Sequence, residues 1–372
     1  MTILCSSGQI TASEEIEKSV IFGELGLDGT VRSVRGIIGK ILAAKAHGVG
    51  QFQAKRALEI AAAGQHNVLL NGAPGTGKSM LAKAMPSILP ELTRKEMLIV
   101  THLHSLAHNQ YESIMATRPF RSPHHSASNV AVIGGGSNPR PGEVSLSHGG
   151  VLFLDELPEF NRSTIETLRQ PLEDKVITIS RTKDTIAFPA DFILIGTKNP
   201  CPCGYYGTDK ECSCAPHAIA QYEKKLSGPI LDRIDLYVDV ESVDHANLLA
   251  LKSSEEKSSA VAKRVQAARE RLLQRASNHN ALKGSLGNRA IKQTADLTPE
   301  AKELLDNAAT SLQLSAQAYM RSVKVARTIA DLDNSDKVGT MHVAETLQYR
   351  PRALGNAPIY SSRGSVLSKD HQ

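Results

Sequence analysis

No apolar run in this 372-residue chain approaches the roughly 20 residues a helix needs to cross a bilayer, which argues against a helical membrane protein. The opening stretch, MTILCSSGQITASEEIEKSV, has no basic segment leading into an apolar core, so a secretory signal peptide is not expected there. Cysteine is scarce and oddly placed. There are five, an odd number, and four crowd into NPCPCGYYGTDKECSCAP, residues 199–216. Scattered even-numbered pairs would suggest a secreted disulfide framework, whereas this pattern fits a reducing compartment and a cytoplasmic protein. Charge of one sign is not in large excess: 43 Lys and Arg stand against 38 Asp and Glu, a formal net charge of +5. That balance is compatible with a polyanionic partner without requiring one. Internal repeats are also absent.

What remains is ordinary globular composition, 41% hydrophobic and 22% charged, long enough for two or three domains. Residues 21–47 read as a strand, a turn at Asp28-Gly29 and a helix. QFQAKRALEIAAAG reads as a further helix, stopped by Gly64. HNVLLNGAPGTGKSMLAKAM then gives a short apolar strand, a glycine-rich loop and a helix. GGVLFLDELPEF is a second buried-type strand, ending in acids. Two strand-like runs flank SRTKD, predicting a β-hairpin, and a third apolar strand, DFILIGTKN, follows. After residue 243 the strands give way to helical periodicity over 244–276 and 298–350. The expected fold class is α/β: a nucleotide-binding core of parallel strands flanked by helices, followed by a helical region.

Gly72, Ala73, Pro74, Gly75, Thr76, Gly77, Lys78 and Ser79 spell G-x-x-x-x-G-K-S between a strand and a helix. Glycines at these positions let backbone N–H groups close around phosphate oxygens, and the helix N-terminus adds positive potential. Lys78 is placed to reach the β- and γ-phosphates of ATP and Ser79 to ligate Mg²⁺. VLFLDE supplies the matching acids. Asp155 would hold Mg²⁺ through water, and Glu156 would align and deprotonate the attacking water.

With both motifs in place, RPFRSPHHSAS, GGGSNPRPGEVSLSHGGVLFLDELPEF, NPCPCGYYG, SGPILDRIDL and KVARTIADL resemble the magnesium-chelatase-like AAA+ ATPases of the ComM/YifB family. The resemblance runs from about residue 50 to 350. It implies a cytoplasmic ring ATPase, hexameric by expectation, whose best-described activity is helicase-type DNA branch migration. It implies that Asn199 is the sensor of the γ-phosphate or lytic water. It also implies that Arg233 is an arginine finger acting on a neighbour's ATP, where residue type alone would suggest a salt bridge to Asp232 or Asp235. The hairpin would be the pre-sensor hairpin facing the ring pore. Arg181 and Lys183 at its tip either grip DNA phosphates or form a solvated turn. Gln110–Arg121 and residues 133–142 are expected to form a second insert. His102, His104, His108, His124 and His125 are read as helix and loop packing. The domain plan is a remnant of a Lon-protease-like domain at 1–48, the ATPase core at 49–243, a helical lid at 244–352 and a flexible tail at 353–372.

Three departures from the family pattern stand out. The Lon-like piece is too short to bury a core of its own, and no serine-lysine protease arrangement is present. Gln317 in LSAQA stands where relatives have the lid-sensor arginine, with Arg321 and Arg327 further along the same helix. Lys198 in GTKNP replaces a small or apolar residue, and either crowds the sensor or points outward. Cys201, Cys203, Cys212 and Cys214 either meet one Zn²⁺ or form four reduced thiols on a loop. Two other classes of function stay open: a protein-remodelling or chelatase-type motor without nucleic acid, and a nucleotide-binding remnant with little turnover.

Overall fold

The computed structural model describes residues 24–25, 31–32, 50–108, 114–136, 138–180, 185–208, 210–241, 256–278 and 294–351. Most of 1–48, all of 353–372 and the hairpin tip carrying Arg181 and Lys183 lie outside the described residues. Of the expected Lon-like piece, the described part is β1 (Glu24–Leu25) paired antiparallel with β2 (Val31–Arg32).

The central sheet has the order β11-β3-β10-β7-β4, built from β3 (Val68–Asn71), β4 (Phe120–Arg121), β7 (Val151–Leu154), β10 (Ile193–Lys198) and β11 (Leu236–Asp239), all parallel. Its three middle strands read VLLN, VLFL and ILIGTK, almost continuously apolar, because a parallel sheet is covered on both faces. Side chains alternate between the faces. Val68, Leu70, Val151, Phe153, Ile193 and Ile195 join one core with the helix Gly50–Gly64. Leu69, Leu152, Leu154 and Leu194 join the other, with Leu157, Phe160 and Ile165. Leu194 is fully buried in the middle of the sheet. Leu194→Ala is expected to cost about 2–5 kcal/mol through lost transfer energy and the cavity left behind, read as a lower denaturant midpoint.

The expected hairpin is present as β8 (Val176–Ser180) and β9 (Thr185–Pro189). The second expected insert is corrected in part. Phe120–Arg121 joins the main sheet as its edge strand β4, because the Pro119 carbonyl accepts the Val151 N–H at 2.8 Å and Phe120 stacks on Phe153. Residues 133–142 do include a small hairpin, β5 (Gly134–Gly135) with β6 (Arg140–Pro141).

The helices Pro299–Ser311, Ala316–Leu332 and Thr340–Gln348 form a third core from Ala301, Leu305, Val323, Ala326, Ala330, Val343 and Leu347. Thr298 and Ser315 cap the first two, their side chains accepting from Ala301 N and Ala318 N. This bundle docks at the end of the sheet where the strands begin. Arg321 donates to Asp235, just before β11, at 2.8 Å, and Thr328 meets His66, just before β3, at 2.8 Å. Burial opposes the charge of Asp235, but His66, Arg321 and the Asn67 N–H together hold its carboxyl below the usual range.

Candidate active site

The phosphate loop follows the other end of β3, one four-residue strand (about 13 Å) away from Asn67. Gly75 and Gly77 sit at φ 81° and 85°, in the left-handed region, and nothing lies within 4 Å of a Cβ built on either. The requirement for glycine there is conformational, and the space above the loop is open. Lys78 opens the helix Lys78–Ala84 and is 8% exposed. Its Nζ donates to Gly72 O at 2.6 Å, Ala73 O at 2.8 Å and Asn199 Oδ1 at 3.3 Å. Burial lowers its pKa, while Asp155 and Glu156 pull the other way. Thr76 donates to Ala73 O at 2.9 Å and tightens the turn.

Sheet order brings the acids to this loop, since β10 lies between β3 and β7. Ser79 Oγ donates to Asp155 Oδ2 at 3.0 Å. Thr197, at the end of β10 and 1% exposed, donates to Asp155 Oδ1 at 2.6 Å and accepts the Glu156 N–H at 2.8 Å. Thr197 was not singled out from sequence; the available signal was a hydroxyl at the end of an otherwise apolar buried strand. Glu156 has φ 53° and ψ 50°, a left-handed conformation, and its side chain is 53% exposed. His125 Nδ1 lies 3.9 Å from Glu156 Oε2, and its ring stands edge-on to Phe160. This histidine therefore reaches the acid as well as packing in its loop. Asn199 is half-buried, and its N–H donates to the Tyr222 hydroxyl at 3.4 Å. The carbonyl of Lys198 accepts the Gly72 N–H at 3.2 Å, which ties sensor strand to phosphate loop.

The cysteines also converge. Cys201 is fully buried, and all four Sγ atoms lie within 4.8 Å of one another. The thiols interact: a backbone hydrogen bond at Tyr205 and the neighbouring Cys201 thiol push Cys203 down, while burial and the neighbouring thiols push Cys212 and Cys214 up.

Residues 46–248 match the family description "Magnesium chelatase, subunit ChlI", and residues 255–350 match its C-terminal counterpart. The chain belongs to the magnesium chelatase ChlI family. It is 45% identical to the uncharacterized protein YifB of Escherichia coli, over 81% of this chain and 59% of that protein. The same figures hold for the competence protein ComM of Haemophilus influenzae. An uncharacterized Mycobacterium tuberculosis protein is 36% identical, over 91% of this chain and 79% of its own length. The chain thus spans about three fifths of the first two relatives. Membership places it among the AAA+ ATPases and supports, in general terms, the use of ATP and Mg²⁺. The residues fit that pair. Ser79 and Asp155 offer hard oxygen donors side by side, and Lys78 is a desolvated cation facing an open loop.

Arg233 and the lid-sensor residues fall elsewhere. Arg233 is only 7% exposed and donates to Glu173 and to the Pro229 carbonyl. Its partner is thus Glu173, not Asp232 or Asp235. Asn67 Nδ2 donates to the Arg233 carbonyl at 2.9 Å, which puts Arg233 at the strand-start end of the sheet, away from its own phosphate loop. Arg327 is buried and donates to Asp331 at 2.9 Å and to the carbonyls of Asp336 and Ser335 at 2.6 and 2.5 Å. Gln317 is exposed on the same helix. The helix carrying Gln317, Arg321 and Arg327 is anchored at the strand-start end through Asp235 and His66, away from this chain's own phosphate loop.

Among the described residues, no helix is long and apolar enough to cross a membrane.

Proposed function

We propose that the chain is the ATPase of a head-to-tail homo-oligomeric ring, a hexamer by expectation, that couples ATP hydrolysis to DNA translocation or branch migration. The observation that carries the hydrolytic part is the hydrogen-bonded run Ser79–Asp155–Thr197–Glu156 N–H beside the open phosphate loop. In this reading Gly72 to Ser79 wrap the phosphates, Lys78 releases its carbonyl partners to meet the β- and γ-oxygens, and Ser79 and Asp155 hold Mg²⁺. The metal would neutralise charge on the phosphates. Glu156 orients and deprotonates water, and Asn199, already within reach of Lys78, reports on the γ-phosphate.

Arg233 supports the ring. A finger at the strand-start end is remote from its own loop and serves a neighbour only in a head-to-tail arrangement. To do so it must leave Glu173, which is 46% exposed and stays hydrated when released. For DNA, support comes from the likeness to a competence protein and from two cations, Arg181 and Lys183, in the sequence that joins β8 to β9. A chelatase-type or protein-remodelling motor is the second reading, favoured by the match to the magnesium chelatase ChlI family.

Changing both Arg181 and Lys183 to alanine is expected to weaken binding to all DNA sequences alike and to flatten its salt dependence, because such contacts act by releasing condensed counterions. Basal ATPase should be unaffected and its stimulation by DNA should fall. Native protein that binds neither single-stranded nor four-way DNA at low salt with ATP would overturn the DNA reading in favour of the second. Equal binding by the double variant would move the contacts elsewhere.

A further inference from the structure

The cysteine loop lies against the phosphate loop, and its four sulfurs converge within 4.8 Å of one another. Cys201 Sγ is 3.3 Å from Cys203 Sγ and 3.7 Å from Cys212 Sγ, and Cys203 and Cys212 are 3.5 Å apart. Zn–S bonds of about 2.3 Å in a tetrahedron place sulfurs about 3.8 Å apart. A disulfide would need about 2.05 Å. Backbone N–H groups already point at the sulfurs: Tyr206 N at Cys201 Sγ, 3.3 Å, and Cys203 N at Cys214 Sγ, 3.4 Å. Such donors stabilise thiolates and fix ligand direction around a metal.

The loop also makes a close contact with the phosphate loop. Gly204, buried at φ 87°, follows Cys203, and a Cβ there would come within 2.6 Å of Pro74 Cδ and 3.9 Å of Asn199 Cγ. Its N–H donates to the Cys201 carbonyl at 3.0 Å, so the turn that touches Pro74 is closed by the first cysteine. One short loop thus carries four converging sulfurs, starts just after Asn199, and presses on Pro74.

We propose that Cys201, Cys203, Cys212 and Cys214 hold one structural Zn²⁺, and that this centre braces Pro74 and Asn199 and so sets nucleotide affinity. The zinc sits behind the phosphate loop and takes no part in bond breaking. The coupling half rests on the ATP-site reading above; the metal half does not.

The intact chain, purified without chelator, is expected to contain about one zinc per chain by elemental analysis. Growth with Co²⁺ should give the intense visible bands of a tetrahedral tetrathiolate. Releasing the metal with an organomercurial, and restoring it with thiol and Zn²⁺, should lower and then recover affinity for a fluorescent ATP analogue by about tenfold, with helical circular dichroism unchanged. Gly204→Ala gives a second reading that does not depend on removing metal. It should retain zinc and still weaken the analogue, because the new methyl meets Pro74 and any side chain strains the turn at φ 87°. Zinc near zero with four freely titratable thiols would overturn the metal centre. Zinc at one per chain with affinity untouched by its removal would overturn the brace, whatever Gly204→Ala does. Native protein that carries zinc but binds no ATP analogue would overturn the ATP-site reading and the brace together, with the metal centre left standing.

Discussion

Glu156→Gln is expected to bind ATP as tightly as the native chain and to release phosphate about 10²–10⁴-fold more slowly, the usual worth of a positioned general base. Glutamine keeps the size and the hydrogen-bonding reach of the side chain and loses only its ability to take a proton. The side chain is 53% exposed and the residue's anchor to Thr197 is its backbone N–H, so the exchange leaves the surrounding fold intact. Single-turnover phosphate release and analogue binding, measured on the same preparation, separate the two effects. Equal turnover by native and variant chains would remove Glu156 from the reaction and direct attention to His125, 3.9 Å away.

Arg233→Ala is expected to bind ATP normally and to lose about 10³–10⁵-fold in turnover, the range found when a finger arginine is withdrawn from a transferring phosphoryl group. Removing it strands no buried acid, because Glu173 is 46% exposed. The variant should therefore fold. Mixing discriminates a finger from a local salt bridge. In a ring, an Arg233→Ala protomer keeps a sound Glu156, and a Glu156→Gln neighbour supplies the missing arginine. A mixture of two inactive proteins should then recover a fraction of native activity, and more of it at concentrations that favour assembly. Normal turnover by the single variant at low protein concentration would reduce Arg233 to a partner of Glu173.

Much of the architecture was legible because its signals are local. Val68–Asn71, Val151–Leu154 and Ile193–Lys198 are short apolar runs, and a run of that kind flanked by helices has few homes other than a parallel sheet. The phosphate loop was legible because glycine spacing and the lysine are fixed by backbone geometry around one ligand class. Phe120–Arg121 was not legible as a strand. Two residues carry no periodicity, and it is pairing with β7 that defines them. Thr197 was overlooked because its role depends on β10 lying next to β7, a fact of strand order that the segment itself does not encode. The docking site of the helical bundle was not legible for a related reason. Periodicity gives helices and apolar faces, but the pairs Arg321–Asp235 and Thr328–His66 that choose its docking site span 86 and 262 residues. The cysteines were legible as a cluster; that Gly204 lies against Pro74 was not.

The left-handed backbone at Glu156 has a bearing on any attempt to improve this protein. A residue with a Cβ held at φ 53° carries about 1–2 kcal/mol of steric cost that glycine would not. Glycine at 156 is therefore expected to raise the melting temperature while removing the carboxylate. If Glu156 is the base proposed above, a library ranked on heat tolerance alone would enrich chains that lack it, and a sequence optimiser rewarding backbone comfort would make the same exchange. On that reading, selection for robustness and selection for turnover oppose each other at this one torsion, so variants of this chain have to be scored on both at once.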